Sequence, residues 1–461
     1  MPGAKSPLIK QITEVAIKQR RSTKHHNWLP FSMLLPADKR FGFSIMACVA
    51  FCKHSISLLG KNNVSSLIDI TSKRKTIHFL AVPAPLEHVL RLGWLSTTES
   101  NMSTAKKSTR ILELDALRAI AALNLLLFHF TFVFPNKYGF DEALGFSFPF
   151  GKYGVQLFFM LSGFVNAMTL LKKRQPKEFI AARFIRIFPT YWAVLLLNLI
   201  LLSSFSMFGI QVAFDSTLAN ASVMPTLFGY EAWEPVTWTL QVEVLFYFIL
   251  MTLFIGGALK NVFRTGMLLC CISLFAVPLL HQWQAIAPEN AVVQVCGFLS
   301  DLFILEYLPL FVIGMLLHEI RSKRSGIVLN SLGILFAGSV FHSIDKLDHN
   351  PIATVLLLTM LCLSAYGKLP ILRLKPFVFV SSISYALYLF HNNLGCLVIR
   401  WLHDAGMSPI LSVGLAFILT IVLATAVTRW SEQPISAFLR KKWKQFSMLQ
   451  SKSDRLLQKA V

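Results

Sequence analysis

From residue 111 onward, long apolar runs alternate with short polar breaks. Ten runs stand out, at about 111–134, 152–171, 187–208, 236–258, 262–280, 295–317, 327–343, 351–367, 378–399 and 409–430. Each approaches the ~20 residues a helix needs to cross the hydrocarbon core of a bilayer. Single strands of this length could not satisfy their backbone groups in lipid, so the runs are predicted to be helices. The pattern predicts an all-α, polytopic integral membrane protein with about ten transmembrane helices. Upstream the pattern is different. The apolar run from Phe41 to Cys52 spans only twelve residues, too short to cross, and mostly polar sequence precedes it. The segment Met102-Ser-Thr-Ala-Lys-Lys-Ser-Thr-Arg110 then reads as a natural cytoplasmic start. Three parts are expected: residues 1–109 as a poorly ordered extension or start-site artefact, 110–438 as the membrane domain, and 439–461 as a basic cytoplasmic tail.

Composition supports the bilayer. The 461 residues are 54% hydrophobic and only 15% charged, against about 25% charged in a typical soluble chain. That argues against a soluble enzyme and against a disordered chain. The net charge of +21 changes the picture only once it is sorted. Loops after the even-numbered runs hold 14 Lys and Arg, and the alternate loops hold 4. The positive-inside rule then places the first set, and both termini, in the cytoplasm of a cell whose inner membrane holds the protein. Residues 209–234 hold no Lys or Arg and carry Asp215, Glu231 and Glu234, as an external loop should. Residues 1–101 contribute 14 basic and 5 acidic residues, net +9. Nucleic acid is not needed to explain the charge. The seven Cys, with Cys48-x-x-x-Cys52 standing apart, lack metal-ligand spacing. They read as small buried hydrophobes, with no metal site and no disulfide framework expected.

Charged side chains within the runs cost roughly 2.5–3.5 kcal/mol each on insertion scales, so each is a functional candidate. The first run holds Asp115, Arg118 and His129. Arg118 and His129 are eleven residues apart, about 20° beyond three full turns, so they share a helix face ~16 Å apart along the axis. Asp115 lies three residues before Arg118, within pairing range. A polar track from the cytoplasmic rim into the membrane is one reading. A snorkelling Arg118 with a satisfied core His129 is the other. In the fourth run, Trp238-Thr-Leu-Gln241-Val-Glu243-Val-Leu-Phe246-Tyr247 carries a carboxylate that calls for a cationic or histidine partner, if only as an interhelical structural pair. Arg183 and Arg186, spaced i, i+3 ahead of Pro189, suit forked phosphate contacts or ordinary membrane anchoring. His391 and Glu432 are further candidates.

These motifs together resemble the membrane-bound acyltransferase-3 family, the O-acetylase type acting on lipopolysaccharide, exopolysaccharide and other glycans. The resemblance covers about residues 110–440. Leu114-Asp-Ala-Leu-Arg-Ala-Ile120 followed by His129 is similar to the family's opening motif. Gly154-Val-Gln-Leu-Phe-Phe-Met-Leu-Ser-Gly-Phe164 is similar to its second-span signature, and Arg183-Phe-Ile-Arg-Ile-Phe-Pro189-Thr-Tyr-Trp192 to its paired-arginine stretch. The fourth-run motif aligns on Glu243. Ser382-Ile-Ser-Tyr-Ala-Leu-Tyr-Leu-Phe-His391 and Glu432-Gln-Pro434 are similar to the closing pair. The departures are Ala116 and Ala119 for glycines, Gln156 where Asp is also common, and Val244-Leu245 for a polar pair. None removes a catalytic group.

The resemblance implies transfer of an acyl group, most often acetyl, from acyl-CoA as donor substrate to a hydroxyl of a glycan or glycolipid, with no bound cofactor. Arg118, Arg183 and Arg186 would then meet the donor's phosphates. His129 would be the general base, or an acyl carrier, with Glu243 orienting or balancing charge and Asp115 holding Arg118. Two rivals are a transporter or glycan flippase without chemistry, and acylation of a small hydrophobic molecule such as a macrolide.

Overall fold

A computed structural model describes residues 111–460, apart from 141–142, 174, 205–212 and 345–349. The expected N-terminal extension, Cys48, Cys52, Arg174 and Lys346 lie outside the described residues. The five described cysteines are free thiols.

The described residues form helices and no strand. The principal ones are α1 (Leu112–Phe128), α2 (Gly154–Lys173), α3 (Pro176–Ser204), α4 (Trp238–Ile255), α5 (Val262–Ile286), α6 (Ala291–Leu302), α7 (Leu308–Ser322), α8 (Ile327–Ile344), α9 (Pro351–Ala365), α10 (Lys375–Phe390), α11 (Asn393–Asp404), α12 (Pro409–Val427) and α13 (Gln433–Ala460). Seven helical segments among the described residues are long and apolar enough to cross a membrane, with three shorter apolar helices beside them. The chain is a polytopic, all-α integral membrane protein. Large apolar side chains such as Leu196, Ile200, Phe275, Leu335 and Ile418 point outward. A soluble bundle would bury them; a lipid-facing one need not.

Two expected spans are interrupted. The sixth breaks between α6 and α7, where Ile304 takes a left-handed φ of 50°. The ninth breaks at His391, whose Nδ1 donates to the Tyr388 carbonyl at 2.6 Å. That bond takes the place of a helical turn. Non-helical backbone at such depth is tolerated only where protein satisfies it.

α7 forms the centre, buried from Leu308 through Glu319. It crosses α2 at two glycines. A Cβ on Gly163 would lie 2.1 Å from the Phe311 carbonyl, and one on Gly314 2.0 Å from that of Met160. Only glycine allows backbones this close. α10 packs along α1 and carries His391 toward His129.

Contacts sort the loops into two ends. At one, the Arg324 Nη2 donates to the Leu171 carbonyl (3.4 Å), Arg321 Nε to that of Ala365 (2.6 Å) and Arg373 Nε to the buried Glu113 (2.6 Å). This end gathers the basic loops. At the opposite end Tyr191 donates to the Asn220 carbonyl (2.6 Å) and Tyr153 accepts from the Asn350 amide (3.2 Å). Alternating helices thus segregate the basic loops as the charge pattern requires.

Candidate active site

The misplaced polar residues assemble in two tiers. The tier nearer the basic end sits on long helices. On α1 the Arg118 Nη1 donates to Asp115 Oδ1 at 2.6 Å. From α3, Arg183 lies over the rings of Phe179 and Tyr247, 5.1 and 5.5 Å from their centroids. Its Nη2 donates to Thr169 Oγ1 at 3.3 Å, while its Nε is buried without a hydrogen-bond partner. On α4, Glu243 Oε1 accepts from Ser162 Oγ (3.0 Å) and Tyr247 OH (2.5 Å). Arg118, Arg183 and Arg186 all lie within electrostatic reach of Glu243. Its direct donors are hydroxyls, with the arginines one layer out.

Pro189 shapes this tier. It has no N–H to give the Ile185 carbonyl four residues earlier. Ser436 Oγ, from α13, supplies that hydrogen bond at 3.1 Å. Two residues on, Tyr385 OH donates to the Ile187 carbonyl at 3.0 Å. α10 and α13 are thereby tied to the arginine helix. Glu432 also comes within electrostatic reach of Arg186.

The second tier sits toward the opposite end, where helices deform. α1 passes into a π-helical turn, His129–Val133, closed by the Phe134 amide on the His129 carbonyl. Pro135 follows; a proline ring clashes with the carbonyl four residues back, and widening to i→i+5 relieves it. The same sequence of events recurs in the first tier at Thr428–Glu432, ahead of Pro434.

His129 Nδ1 lies 2.8 Å from the Leu125 carbonyl and 3.2 Å from His391 Nε2. A carbonyl only accepts, so both Nδ1 atoms carry hydrogen. His391 Nε2 is then an acceptor for His129 Nδ1–H, and the His129 lone pair lies on Nε2. His391 is fully buried, and its ring centroid is 4.8 Å from that of His129. An imidazole held in one tautomer and one orientation, with its other nitrogen basic, is the arrangement a general base requires.

Beyond His391 the broken helix is held by amides. Asn393 Nδ2 donates to Asn198 Oδ1 (2.7 Å) and to the Trp233 carbonyl (2.6 Å). The Asn393 amide donates to Glu234 Oε2 at 3.3 Å, and Glu234 Oε1 is buried without a partner. Burial pushes the Glu234 carboxyl up to about 8, against the opposing pull of hydrogen bonds from Asn393, Asn392 and Asn198.

The expected residues thus fall into two groups. Asp115, Arg118, Arg183, Arg186, Glu243 and Glu432 share one tier. His129 and His391 share the other, about 16 Å along α1 from Arg118. Ser162, Tyr247, Thr169 and Tyr385 were not singled out from sequence. Ser162, Tyr247 and Tyr385 stand inside the quoted motifs, Tyr247 four residues after Glu243, so spacing alone could have found it.

Residues 111–429 match the acyltransferase-3 family, described as an acyltransferase domain. The exopolysaccharide production protein ExoZ of Rhizobium meliloti (strain 1021) is 29% identical over 278 residues, covering 54% of this chain and 78% of the relative. No solved structure matches the chain.

Proposed function

The chain belongs to the acyltransferase-3 family and is a membrane acyltransferase, and from that premise we propose that it moves an acetyl group from acyl-CoA to a hydroxyl of a glycan or glycolipid. The observation that carries this is the His129–His391 pair. In this reading His129 Nε2 takes the proton of the acceptor hydroxyl as its oxygen attacks the thioester carbonyl. The carbon–sulfur bond breaks, the thiolate leaves, and it takes up the proton as free CoA. His391 positions His129. Arg118, Arg183 and Arg186 meet donor phosphates from the cytoplasmic side, with Asp115, Glu243 and Glu432 balancing their charge. The name of the ExoZ relative supports a surface polysaccharide as acceptor. The charge pattern supports an inner-membrane protein with both termini in the cytoplasm.

Membranes supplied with acetyl-CoA should release free thiol, and surface glycan should gain acetyl groups that a deletion strain lacks. A glycan crossing vesicles with no thiol released would sink the reading in favour of transport. Thiol release without any glycan mass shift would favour a small hydrophobic acceptor.

A further inference from the structure

The last helix outruns the membrane. From Pro409 to Gln450 the helical path is 42 residues long, about 63 Å at 1.5 Å per residue. The hydrocarbon core is only ~30 Å thick. α12, with 19 residues, already covers that distance. The π-helical turn Thr428–Glu432 follows, and such turns are where long helices kink. α13 thus starts at the basic end, past the apolar span. Its first turn holds the arginine helix through Ser436.

Beyond that turn α13 is two-faced. By helical register, Ile435, Phe438, Leu439, Trp443, Phe446 and Leu449 fall within about 140° of arc. Arg440, Lys441 and Lys444 fall on the opposite side, and no acidic residue occurs between Gln433 and Gln450. One edge of the apolar arc packs: Leu439 and Trp443, on the side of Ser436, are half-buried. The rest is open, with Phe438, Phe446 and Leu449 58%, 58% and 68% exposed. Lys442 falls inside the apolar arc, and its Nζ stands 5.7 Å from the Phe438 ring centroid. A lysine on an apolar face takes that posture when its stem follows the surface and its charge rises to the polar boundary.

We propose that Phe438–Leu449 lies on the membrane surface at the basic end and binds anionic phospholipid headgroups. Its rings enter the acyl boundary, and Arg440, Lys441, Lys442 and Lys444 meet the phosphates. Lipid is at hand where α12 leaves the bilayer. Aromatic and aliphatic residues facing a row of cations are the composition of a helix lying in the headgroup plane. Four cations directly after a span favour anionic over zwitterionic lipid. A second copy of the helix fits less well, since it brings four more cations and no acid from this stretch to pair with them. This surface lies outside both tiers, and the proposal does not depend on acyl transfer.

The test follows amide hydrogen exchange of residues 438–449 in the full chain, one copy per nanodisc. The discs hold phosphatidylcholine alone or phosphatidylcholine with phosphatidylglycerol. Exchange in this stretch should slow by about tenfold or more when phosphatidylglycerol is present, and the transmembrane helices should not change. Raising the salt to about 1 M, where screening reaches within ~3 Å, should cancel the gain. Arg440→Gln with Lys441→Gln and Lys444→Gln should cancel it too. Phe446→Ser with Leu449→Ser should speed exchange in the anionic discs, since the cations alone hold the helix poorly. Equal exchange in the two lipids, whether slow in both or fast in both, overturns the proposal without any variant. So does a gain that survives high salt. Protection that appears only when two copies share a disc also overturns it, and assigns the apolar face to a second chain.

Discussion

The two tiers solve the problem of polar groups in a bilayer in opposite ways. The arginine tier buries formal charge on helices that are regular except for the π-helical turn that ends at Glu432. Arg118 has Asp115, Glu243 has two hydroxyls, and Arg183 lies against two rings. The histidine tier holds two neutral-capable rings and deforms the backbone around them: a π-turn at His129, a break at His391, and asparagine amides closing the gap. Charge on regular helices suits binding a charged group without moving. Irregular backbone sets a side chain at an angle a helix cannot offer, which is what placing one nitrogen on a reacting atom demands. On the proposed reading, the first tier binds the donor and the second does the chemistry.

The strongest way to break that assignment is His129→Ala. Acyl transfer should fall by about 10²–10⁴-fold, the usual worth of a general base. The protein should remain in the membrane at normal level, and donor binding should be unchanged. Retained transfer would return the chemistry to the arginine tier.

His391→Phe is the sharper cut. It keeps an aromatic ring where His391 packs, and removes the Nε2 acceptor 3.2 Å from His129. His129 then keeps its bond to Leu125 but loses its lateral support. The maximal rate should fall roughly tenfold to a hundredfold, by analogy with support residues of other sites. The pH–rate profile should also move, since His391 tunes the base; a fall in rate with an unmoved profile would mean a packing role only.

Tyr247→Phe probes the arginine tier. The phenyl ring still faces Arg183, but Glu243 loses its 2.5 Å hydrogen bond. One such bond to a charged group is worth about 1.5–3 kcal/mol, so donor affinity should drop by about tenfold or more. The maximal rate should hold. If the rate falls as steeply as in His391→Phe, the division between tiers fails.

The sequence made the arginine tier visible and half hid the histidine tier, for a physical reason. Arg118 and Glu243 are charges in apolar runs, and the cost of burying charge marks them individually; Arg183 and Arg186 are marked by their i, i+3 spacing ahead of Pro189. Their hydroxyl partners carry no such mark. Ser162 and Tyr247 are common in membrane helices, and only their position beside Glu243 distinguishes them. His391 read as one polar residue in a continuous ninth span because helical periodicity assumes an unbroken helix. The break is encoded by His391-Asn-Asn393 competing for backbone groups, and its success depends on Asn198 and Trp233 from elsewhere in the chain. The helical class, by contrast, followed from apolar run lengths alone, since a bilayer leaves few ways to satisfy a backbone.

Glu234 tests how the histidine tier is held together. It lies just outside the fourth span, buried, with one oxygen on the Asn393 amide. Its carboxyl titrates near 8 because burial disfavours the charged form. The folded chain therefore keeps a proton that the unfolded chain releases near the ordinary glutamate value. Stability should be fully present below about pH 4.5, fall as the pH rises toward about 8, and level off above it. Glu234→Gln carries no titrating proton, so its melting temperature should stay flat across that window, apart from other groups. The expected difference is the smallest here, roughly a few °C between pH 6 and pH 8. If Glu234→Gln melts with the same pH slope as the unsubstituted chain, the carboxyl is solvated in the membrane-embedded protein. Asparagines alone would then hold the break that carries His391.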